Sequence, residues 1–484
     1  MQDTDIMHII RKDMFQQIPV ILTTRSSCIP HDLAANTRHI RLTGFDELAR
    51  DRYIRKAVVG TDVKAAMKIK QRLKENPVLA GVCQVPLFFV MFAHMTHERH
   101  EFTQFQSVTS FFRFMIGCFH GHLHKKDKTK IRNFKSFEKD HGLLDQEALN
   151  SLSGGSKQNV WRKETLSELL GDKFYEHYVR VGILVEEEVL DFAEENGSSS
   201  SYYQPYRKDV RFYHKLFCEW YAAHYLSNIA AKSLSPSLEL ILSRLDPFEL
   251  HYLYRFACGL NQNAANNILQ YLSGVESSEQ FEILCILEQR GQVENIKNQV
   301  QKLCSDTIIV SDEDSQLQQK STIELLEIAS SNAILISCVS VENCIKSVDL
   351  ETWNLNLKSG MRLSNLGSVQ EISVTQMGRE LTEQEVLDII RFCFQCLELK
   401  VLRFDCCLLP QYIKVTHTES DINQTNIKVI WSCTESWLQL NLTSGYWEIQ
   451  SEGKSTPITD DDYQSESAKF RREWSGPKAR NDKE

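Results

Sequence analysis

The spacing of hydrophobic and polar residues gives the chain a strand-like start followed by a long helical stretch. Residues 6–17 have helical spacing, and "IPVILTT" at 18–24 is a continuous apolar run, typical of a strand buried in a parallel sheet. From "HIRLTGFDELARDRYIRKAV", where Gly44 and Asp46 precede a helical pattern, the periodicity is almost wholly helical to about residue 125. The pattern predicts a buried strand that leads into a set of packed helices.

Between residues 155 and 228 helical and strand patterns alternate. We expect a helix from Lys163–Leu170 onwards, a strand in "YVRVGILVEEE", a serine-rich turn at 197–201, a short strand, and a long helix from about residue 208. A helix, a small two-stranded β element and a final helix fit a winged-helix-like module. Residues 229–305 return to a helical pattern.

A repeat begins beyond about residue 306, with strand-like units that start at residues 336, 369 and 399. The positions that match the leucine-rich pattern are Ile336, Val339, Val341 and Cys344, then Val369, Ile372, Val374 and Met377, then Leu399, Leu402, Phe404, Cys407 and Leu409. "LTEQEVLDIIRFCFQCL" is an amphipathic helix between the second and third units. Three imperfect units predict a short or degenerate array. After residue 425, "IKVIW", "WLQLNL" and "YWEIQ" alternate with period two and predict terminal strands, and the charged last twenty or so residues are expected to be disordered.

Composition limits the classes of partner. The chain has 484 residues and a formal net charge of -9, which gives no general attraction to nucleic acid or to anionic membranes. No apolar run reaches the length that spans a bilayer. Fourteen cysteines without a signal peptide indicate reduced thiols, and so a cytoplasmic protein.

Three segments carry a resemblance to a known family. "IPVILTTR", which ends in Arg25, resembles the strand after the Walker B strand of the NACHT ATPases, whose polar tip senses the γ-phosphate. "NPVLAGVCQVPLFFVMF" resembles the helix of NOD-like receptors in which a proline, here Pro86, lies against the adenine. "RFYHKLFCEWYAAHYLS" resembles the winged-helix segment whose histidine, here His214, reaches the β-phosphate. "RLTGFDELARDRYIRK" and "LDPFELHYLYRFACGL" are similar to the strand-to-helix link and the second helical domain of the same family.

The resemblance to NOD-like receptors implies a multidomain, mainly α protein. The implied segments are the end of an α/β NACHT nucleotide-binding domain at 1–43, helical domain 1 at 44–125, a winged-helix domain at 126–228, helical domain 2 at 229–305, degenerate leucine-rich repeats at 306–415, and a terminal β segment with a disordered tail at 416–484. The family mechanism is a switch: ADP holds the winged helix on the nucleotide domain, and exchange for ATP leads to oligomerisation in innate immune signalling.

Each residue of the implied nucleotide site also has its own chemistry. The planar guanidinium of Arg25, at the carboxyl end of a strand, suits phosphate oxygens, although a surface arginine paired with a carboxylate is the alternative. Pro86 would offer a flat apolar face to a purine, whether or not it also simply begins a helix. His214 lies among aromatic residues and can donate to a phosphate, or it is a core histidine.

The motifs for nucleotide hydrolysis are missing from this sequence. A P-loop needs G-x-x-x-x-G-K-[ST], and the only "GKS", Gly453–Ser455, has Glu448 where the first glycine belongs. We therefore expect no hydrolysis by this chain and no catalytic residues; ADP or ATP is expected only with the missing half of a NACHT domain, and otherwise no cofactor. The expected partners are other NOD-like receptor chains in an oligomer and an unknown signalling adaptor, with no nucleic acid and no membrane span. The alternative is a non-catalytic interaction scaffold or decoy without nucleotide binding.

Two histidine clusters and one cysteine pair resemble metal or redox motifs. We expect His94, His97 and His100, and likewise His120, His122 and His124, to be polar helix ends, because neither group has the four ligands of a structural zinc site. Cys393 and Cys396 have CxxC spacing but lie in an amphipathic helix, so they are expected to pack as apolar residues. No metal site is predicted.

Overall fold

The protein is multidomain and mixes α and β structure, with helices prevailing. The computed structural model describes His8, Gln17, Arg38 and residues 44–465, except 76, 99–104, 106, 127–136, 155–159, 191–205, 233–234, 277, 290–293, 365, 378, 414–426, 433–436, 443–445, 452–453, 458, 460 and 462. The strand predicted at 18–24, with Arg25, and the last nineteen or so residues lie outside the described part, as does most of the helix predicted at 6–17.

The first described block is helical, as its periodicity predicted. Its elements are α1 (Glu47–Tyr53), a π-helical segment (Ile54–Val59), α2 (Val63–Glu75), α3 (Pro77–Val82), α4 (Pro86–Glu98) and α5 (Val108–Lys126). Asp46 caps α1, because its carboxylate accepts a hydrogen bond from the amide of Ala49 at 2.7 Å. Phenylalanines of α4 and α5 form much of the core here; Phe88, Phe89, Phe92, Phe111 and Phe112 are fully buried.

The next block contains a small sheet between helices. Its elements are α6 (Gly142–Ser153), β1 (Val160–Arg162), α7 (Lys163–Leu170), α8 (Asp172–Val181), β2 (Leu184–Leu190), β3 (Tyr206–Phe212) and α9 (Lys215–Ala230). The sheet has three antiparallel strands in the order β1-β3-β2, so the expected two-stranded element was wrong by one strand. The long helix was also placed too early: residues 206–212 form strand β3, in which Val210 and Phe212 are buried on either side of exposed Arg211, and α9 begins only at Lys215.

Five helices follow, as predicted for residues 229–305. They are α10 (Pro236–Leu242), α11 (His251–Leu260), α12 (Gln262–Leu272), α13 (Glu279–Leu287) and α14 (Lys297–Ser305). Helix α9 is apolar on nearly all sides because α6 and α11 cover it. It is the central helix of the described chain.

The remaining chain builds an eight-stranded sheet and a smaller one. The elements are β4 (Thr307–Ser311), α15 (Gln316–Ser331), β5 (Ile336–Glu342), β6 (Ile345–Asp349), β7 (Asn354–Leu357), β8 (Arg362–Ser364), β9 (Val369–Thr375), α16 (Glu383–Cys393), β10 (Val401–Asp405), β11 (Lys428–Ser432), β12 (Trp437–Leu440), β13 (Trp447–Ser451) and β14 (Lys454–Pro457). The large sheet has the order β14-β13-β12-β11-β10-β9-β5-β4, and β6-β7-β8 form an antiparallel sheet of their own.

The predicted repeat forms parallel strands whose equivalent residues are in register. Val339 pairs with Ile372, and Ile372 pairs with Leu402, so the apolar positions of the three units stack side by side and are buried. The array is longer than predicted, because β4 joins it before the first unit and β11 after the third, both parallel to their neighbours. It is also less regular: the small sheet β6-β7-β8 replaces a helix between β5 and β9, and Met377, the last pattern position of the second unit, is 47% exposed.

The terminal strands close one end of this sheet. Strands β12 and β13, which the period-two alternation predicted, run antiparallel, and so does β14, which it did not predict. Trp431 and Trp447 are fully buried with ring centroids 5.5 Å apart, and their indole N–H groups donate to the carbonyls of Cys407 and Pro410, both at 3.0 Å. The aromatic pair therefore satisfies its polar atoms while it fills the core.

Candidate functional site

His214 lies between a strand and a helix, where its ring has a defined orientation. It follows β3 and occupies the N-cap position of α9, where its Nδ1 accepts a hydrogen bond from the amide of Leu216 at 3.1 Å. A nitrogen that accepts cannot carry the proton, so the neutral imidazole has its hydrogen on Nε2. Burial, with a smaller contribution from the charge of Lys215, lowers the pKa of His214. At neutral pH His214 is therefore a neutral donor through Nε2.

The helix that begins at Pro86 packs directly against this histidine. The ring of Phe88 meets that of His214 edge to face, with centroids 5.1 Å apart and an interplanar angle of 82°. Pro86 itself is exposed at the first turn of α4, whereas Phe88 is fully buried. Two of the three residues singled out from the sequence thus lie on elements in direct contact, and the proline face is open to a ligand.

The chain that enters this block passes beside the same turn. Gly44 has φ of +83°, and a Cβ at this position would collide with the carbonyl oxygen of Gln84. The amide of Phe45 donates to that same carbonyl at 3.2 Å. The segment that follows the predicted strand at 18–24 is therefore held against the residues just before Pro86. Arg25 belongs to that strand and lies outside the described residues, so its distance from His214 is not part of this geometry.

Sequence reasoning missed a set of buried charges that tie the helical blocks together. Arg255 of α11 donates to Oε1 of Glu288 through Nε at 3.1 Å and Nη2 at 2.7 Å. Oε2 of Glu288 accepts from the amide and hydroxyl of Thr109 in α5, at 3.0 and 2.8 Å. All three side chains are buried, and Gly259 permits the close approach because a Cβ there would collide with Thr109. No spacing in the sequence signals this contact, because its members are far apart along the chain.

A second missed residue links the helix of His214 to α11. Glu219 is 2% exposed and accepts from the amide of Leu253 at 3.0 Å, while Lys215 Nζ lies 3.4 Å from its Oε1. Burial raises the pKa of Glu219 to about 7, although Lys215 and the backbone donors act in the opposite direction. Movement of α9 would therefore disturb a buried carboxylate as well as the His214 ring.

The parallel sheet presents a polar face opposite its buried one. Arg403 Nε donates to Glu371 Oε1 at 2.9 Å, and Ser373 donates to Asp405 Oδ2 at 2.7 Å across neighbouring strands. The side chains of Arg403, Glu371 and Asp405 keep about a third of their surface exposed (36%, 29% and 32%). A charged, half-exposed ladder on parallel strands is a surface that can recognise a polar partner.

The two histidine clusters and the cysteine pair noted in the sequence have no metal or redox geometry among their described residues. His94 hydrogen-bonds Tyr53 at 3.1 Å and His97 is exposed, whereas His120 is 1% exposed, so its prediction as a polar helix end was wrong. His100 and the side chain of His124 lie outside the description. Cys393 and Cys396 are buried, and burial raises the pKa of both thiols, which confirms apolar packing.

Two residues of the "GKS" triplet, Lys454 and Ser455, lie in a β-strand. Lys454 and Ser455 pair with Ser451 and Gln450 across strands β13 and β14, so the tail has more strand than predicted. A P-loop requires a helix directly after its glycine-rich turn, and a strand follows here instead.

Comparisons with known proteins identify no relatives: no protein-family model matches this sequence, and a search of curated proteins returns no significant match. Among the residues that the structure describes, none of the helices combines the length and the apolar character needed to cross a bilayer.

Proposed function

We propose that this chain is the regulatory and sensing part of a NOD-like receptor, in which a nucleotide controls the position of α9 and the parallel sheet recognises a partner. The observation that carries the proposal is the contact between His214 and the helix that begins at Pro86. Two of the three residues expected at an ADP site lie on these contacting elements, and each has a suitable property: Pro86 is exposed, and His214 has its donor on Nε2.

The order of elements in 142–230 supports the winged-helix part of the proposal. The order along the chain is helix, strand, two helices, two strands and a last helix, and the three strands form one antiparallel sheet. His214 lies at the start of the last helix. Domain limits at 1–43, 44–125, 126–228, 229–305, 306–415 and 416–484 belong to the same proposal.

The chain's own residues suggest how such a site would act. A nucleotide supplies phosphate oxygens that carry negative charge. His214 would donate its Nε2 hydrogen to one of them, and Pro86 would cover the purine. Because α9 also carries Glu219 and packs on α6 and α11, loss of the His214 contact would alter the packing of several helices rather than of one loop. The resulting shift of population would expose surfaces for an oligomer and for a signalling adaptor.

The second candidate function is a scaffold or decoy that binds a partner without nucleotide. The polar ladder of Glu371, Ser373, Arg403 and Asp405 favours it, because this surface needs no cofactor to be complete. The two functions differ in whether nucleotide is retained.

The experiment begins with the complete transcript, read upstream of Met1 for an in-frame P-loop and an acidic Walker B strand. The encoded protein is purified, denatured, and the released nucleotide is quantified by chromatography. We expect close to one ADP per chain. Protein without nucleotide, or a transcript without these motifs, would contradict the switch and leave the scaffold.

A further inference from the structure

Three metal-ligating side chains from two helices converge between α6 and α9. His141 is the N-cap residue of α6, Asp145 lies one turn further on, and His224 projects from α9. Nδ1 of His141 is 2.7 Å from Oδ1 and 2.8 Å from Oδ2 of Asp145. The rings of His141 and His224 lie with centroids 4.7 Å apart, and one donor atom from each of the three residues lies within 4.8 Å of the others.

The cluster is enclosed, and one of its polar atoms has no hydrogen bond. Asp145 is 3% exposed, and the side chain of His141 is 13% exposed. Nε2 of His224 is buried and has no hydrogen-bond partner within the described chain. The rings of Trp220 and Tyr221 surround the site, at centroid distances of 5.0 Å from His224 and 5.3 Å from His141. A buried imidazole nitrogen without a partner is costly, so an unseen ligand is the physical explanation to test.

Charges around the cluster act in both directions. Burial lowers the pKa of His224, and the charges of His141 and Arg113 act in the same direction. Arg113 on α5 disfavours a cation, and the carboxylate of Asp145 favours one. The hydroxyls of Tyr178 and Tyr221 lie on the Asp145 side and stay neutral, because burial raises the pKa of both.

We propose that His141, Asp145 and His224 form a zinc site that joins α6 to α9. Two imidazole nitrogens and one carboxylate oxygen suit Zn²⁺, and the imidazoles disfavour Mg²⁺ and Ca²⁺. Bonds of about 2.0–2.1 Å would bring tetrahedral donor atoms to about 3.3 Å from one another, which requires only small side-chain movements. Water takes the fourth position on the partly exposed side of His141.

Zinc binding at this site changes the tautomer of His141. In the metal-free protein the hydrogen on Nδ1 of His141 lies between that nitrogen and the Asp145 carboxylate. The metal takes the lone pair of Nδ1 and an oxygen of Asp145, so the neutral imidazole carries its hydrogen on Nε2 instead. This change of tautomer releases no proton, and the site is independent of any nucleotide.

The sequence prediction of no metal site depended on local spacing, which cannot find this cluster. His141 and Asp145 are four residues apart, but His224 lies on a helix more than seventy residues later, beyond the small sheet. Neither of the two histidine-rich segments noticed in the sequence contributes a ligand.

The test uses the 484-residue chain, stripped of metal with a chelator and titrated with Zn²⁺ in a calorimeter. Runs in buffers of different ionisation enthalpy separate the heat of zinc binding from the heat of any proton exchange with the buffer. His224→Gln removes the imidazole, and His122→Gln removes an exposed histidine as the matched control. Cobalt(II) replaces zinc as a spectroscopic probe of tetrahedral ligands.

Circular dichroism of the chelator-treated protein shows whether each variant folds. His224→Phe takes the place of His224→Gln if His224→Gln does not fold.

We expect one zinc per chain and a melting temperature that rises with zinc for the wild type and H122Q. H224Q or H224F should bind zinc at least about a hundredfold more weakly, with a melting temperature that zinc does not change. Absence of zinc binding by the wild type, or equal binding by the His224 variants, would overturn the proposal and leave a buried His–Asp pair beside an aromatic cluster.

Discussion

The rings of Phe88 and His214 pack edge to face, with centroids 5.1 Å apart, although 126 positions separate them in the sequence. Phe88 lies two residues after Pro86 on α4, and His214 caps α9. This contact therefore joins the first helical block to the long helix α9. Mutations of the two residues should have different effects. Phe88 contributes only packing, whereas His214 also caps α9 and offers a hydrogen-bond donor.

Replacement of His214 separates its structural role from its donor role. His214→Asn keeps a side-chain acceptor for the amide of Leu216, so the free energy of unfolding in urea should stay within about 0.5 kcal/mol of the wild type. His214→Leu removes the acceptor and should cost about 1 kcal/mol. Equal losses for both variants would show that the cap at α9 contributes nothing.

The buried ion pair of Arg255 and Glu288 should dominate the stability of the helical blocks. Arg255→Met leaves the Glu288 carboxylate buried beside Thr109 without its cation, and should cost about 3–5 kcal/mol in urea unfolding. The control is Arg379→Met, which breaks an exposed pair with Glu385 and should cost about 1 kcal/mol or less. Similar costs for both variants would contradict the buried geometry.

Some of this organisation could be read from the sequence, and some could not. Periodicity found the helices at 47–126, the capped helix α16 and the register of three repeat units, because each depends on residues close in the chain. Periodicity placed the start of α9 seven residues too early, because "RKDVRF" is compatible with either a strand or the first turn of a helix. This segment forms a strand because it pairs with β2. Periodicity could not find the contact of Thr109 with Glu288, nor the cluster of His141 and His224, since those meet only through tertiary packing.

The pH dependence of stability should carry the signature of Glu219. Its pKa is about 7 in the folded protein and near 4.5 when unfolded, so the folded state holds the proton more tightly. This stabilises the folded protein below pH 4.5, and the contribution is lost as the pH rises through 7. Glu219→Gln should match the wild type at low pH and exceed it above pH 7 by on the order of 3 kcal/mol at most.

Urea unfolding of wild type and Glu219→Gln at several pH values measures this difference. Glu351→Gln, at an exposed carboxylate, is the control and should show no such trend. A constant difference between Glu219→Gln and the wild type from pH 4.5 to 8 would contradict the buried titration.

Truncation should cost much more stability on one face of β10 than on the other. Phe404→Ala removes a fully buried ring from the core of the array and should cost about 3–5 kcal/mol of unfolding free energy. Arg403→Ala, one residue earlier on the polar face, should cost about 1 kcal/mol or less, because its pair with Glu371 is partly solvated. Comparable costs at both positions would contradict the strand orientation on which the proposed recognition surface depends.

The most direct measurement of the nucleotide proposal is the ADP affinity of the protein encoded by the complete transcript, for the wild type and for His214→Asn. The Nε2 donor of His214 should contribute a hydrogen bond to a charged phosphate, so the variant should bind ADP about tenfold to a hundredfold more weakly. Its urea unfolding should remain that of the wild type, which separates lost binding from lost folding. Equal ADP affinities for the two folded proteins would contradict the assignment of His214 to the nucleotide site.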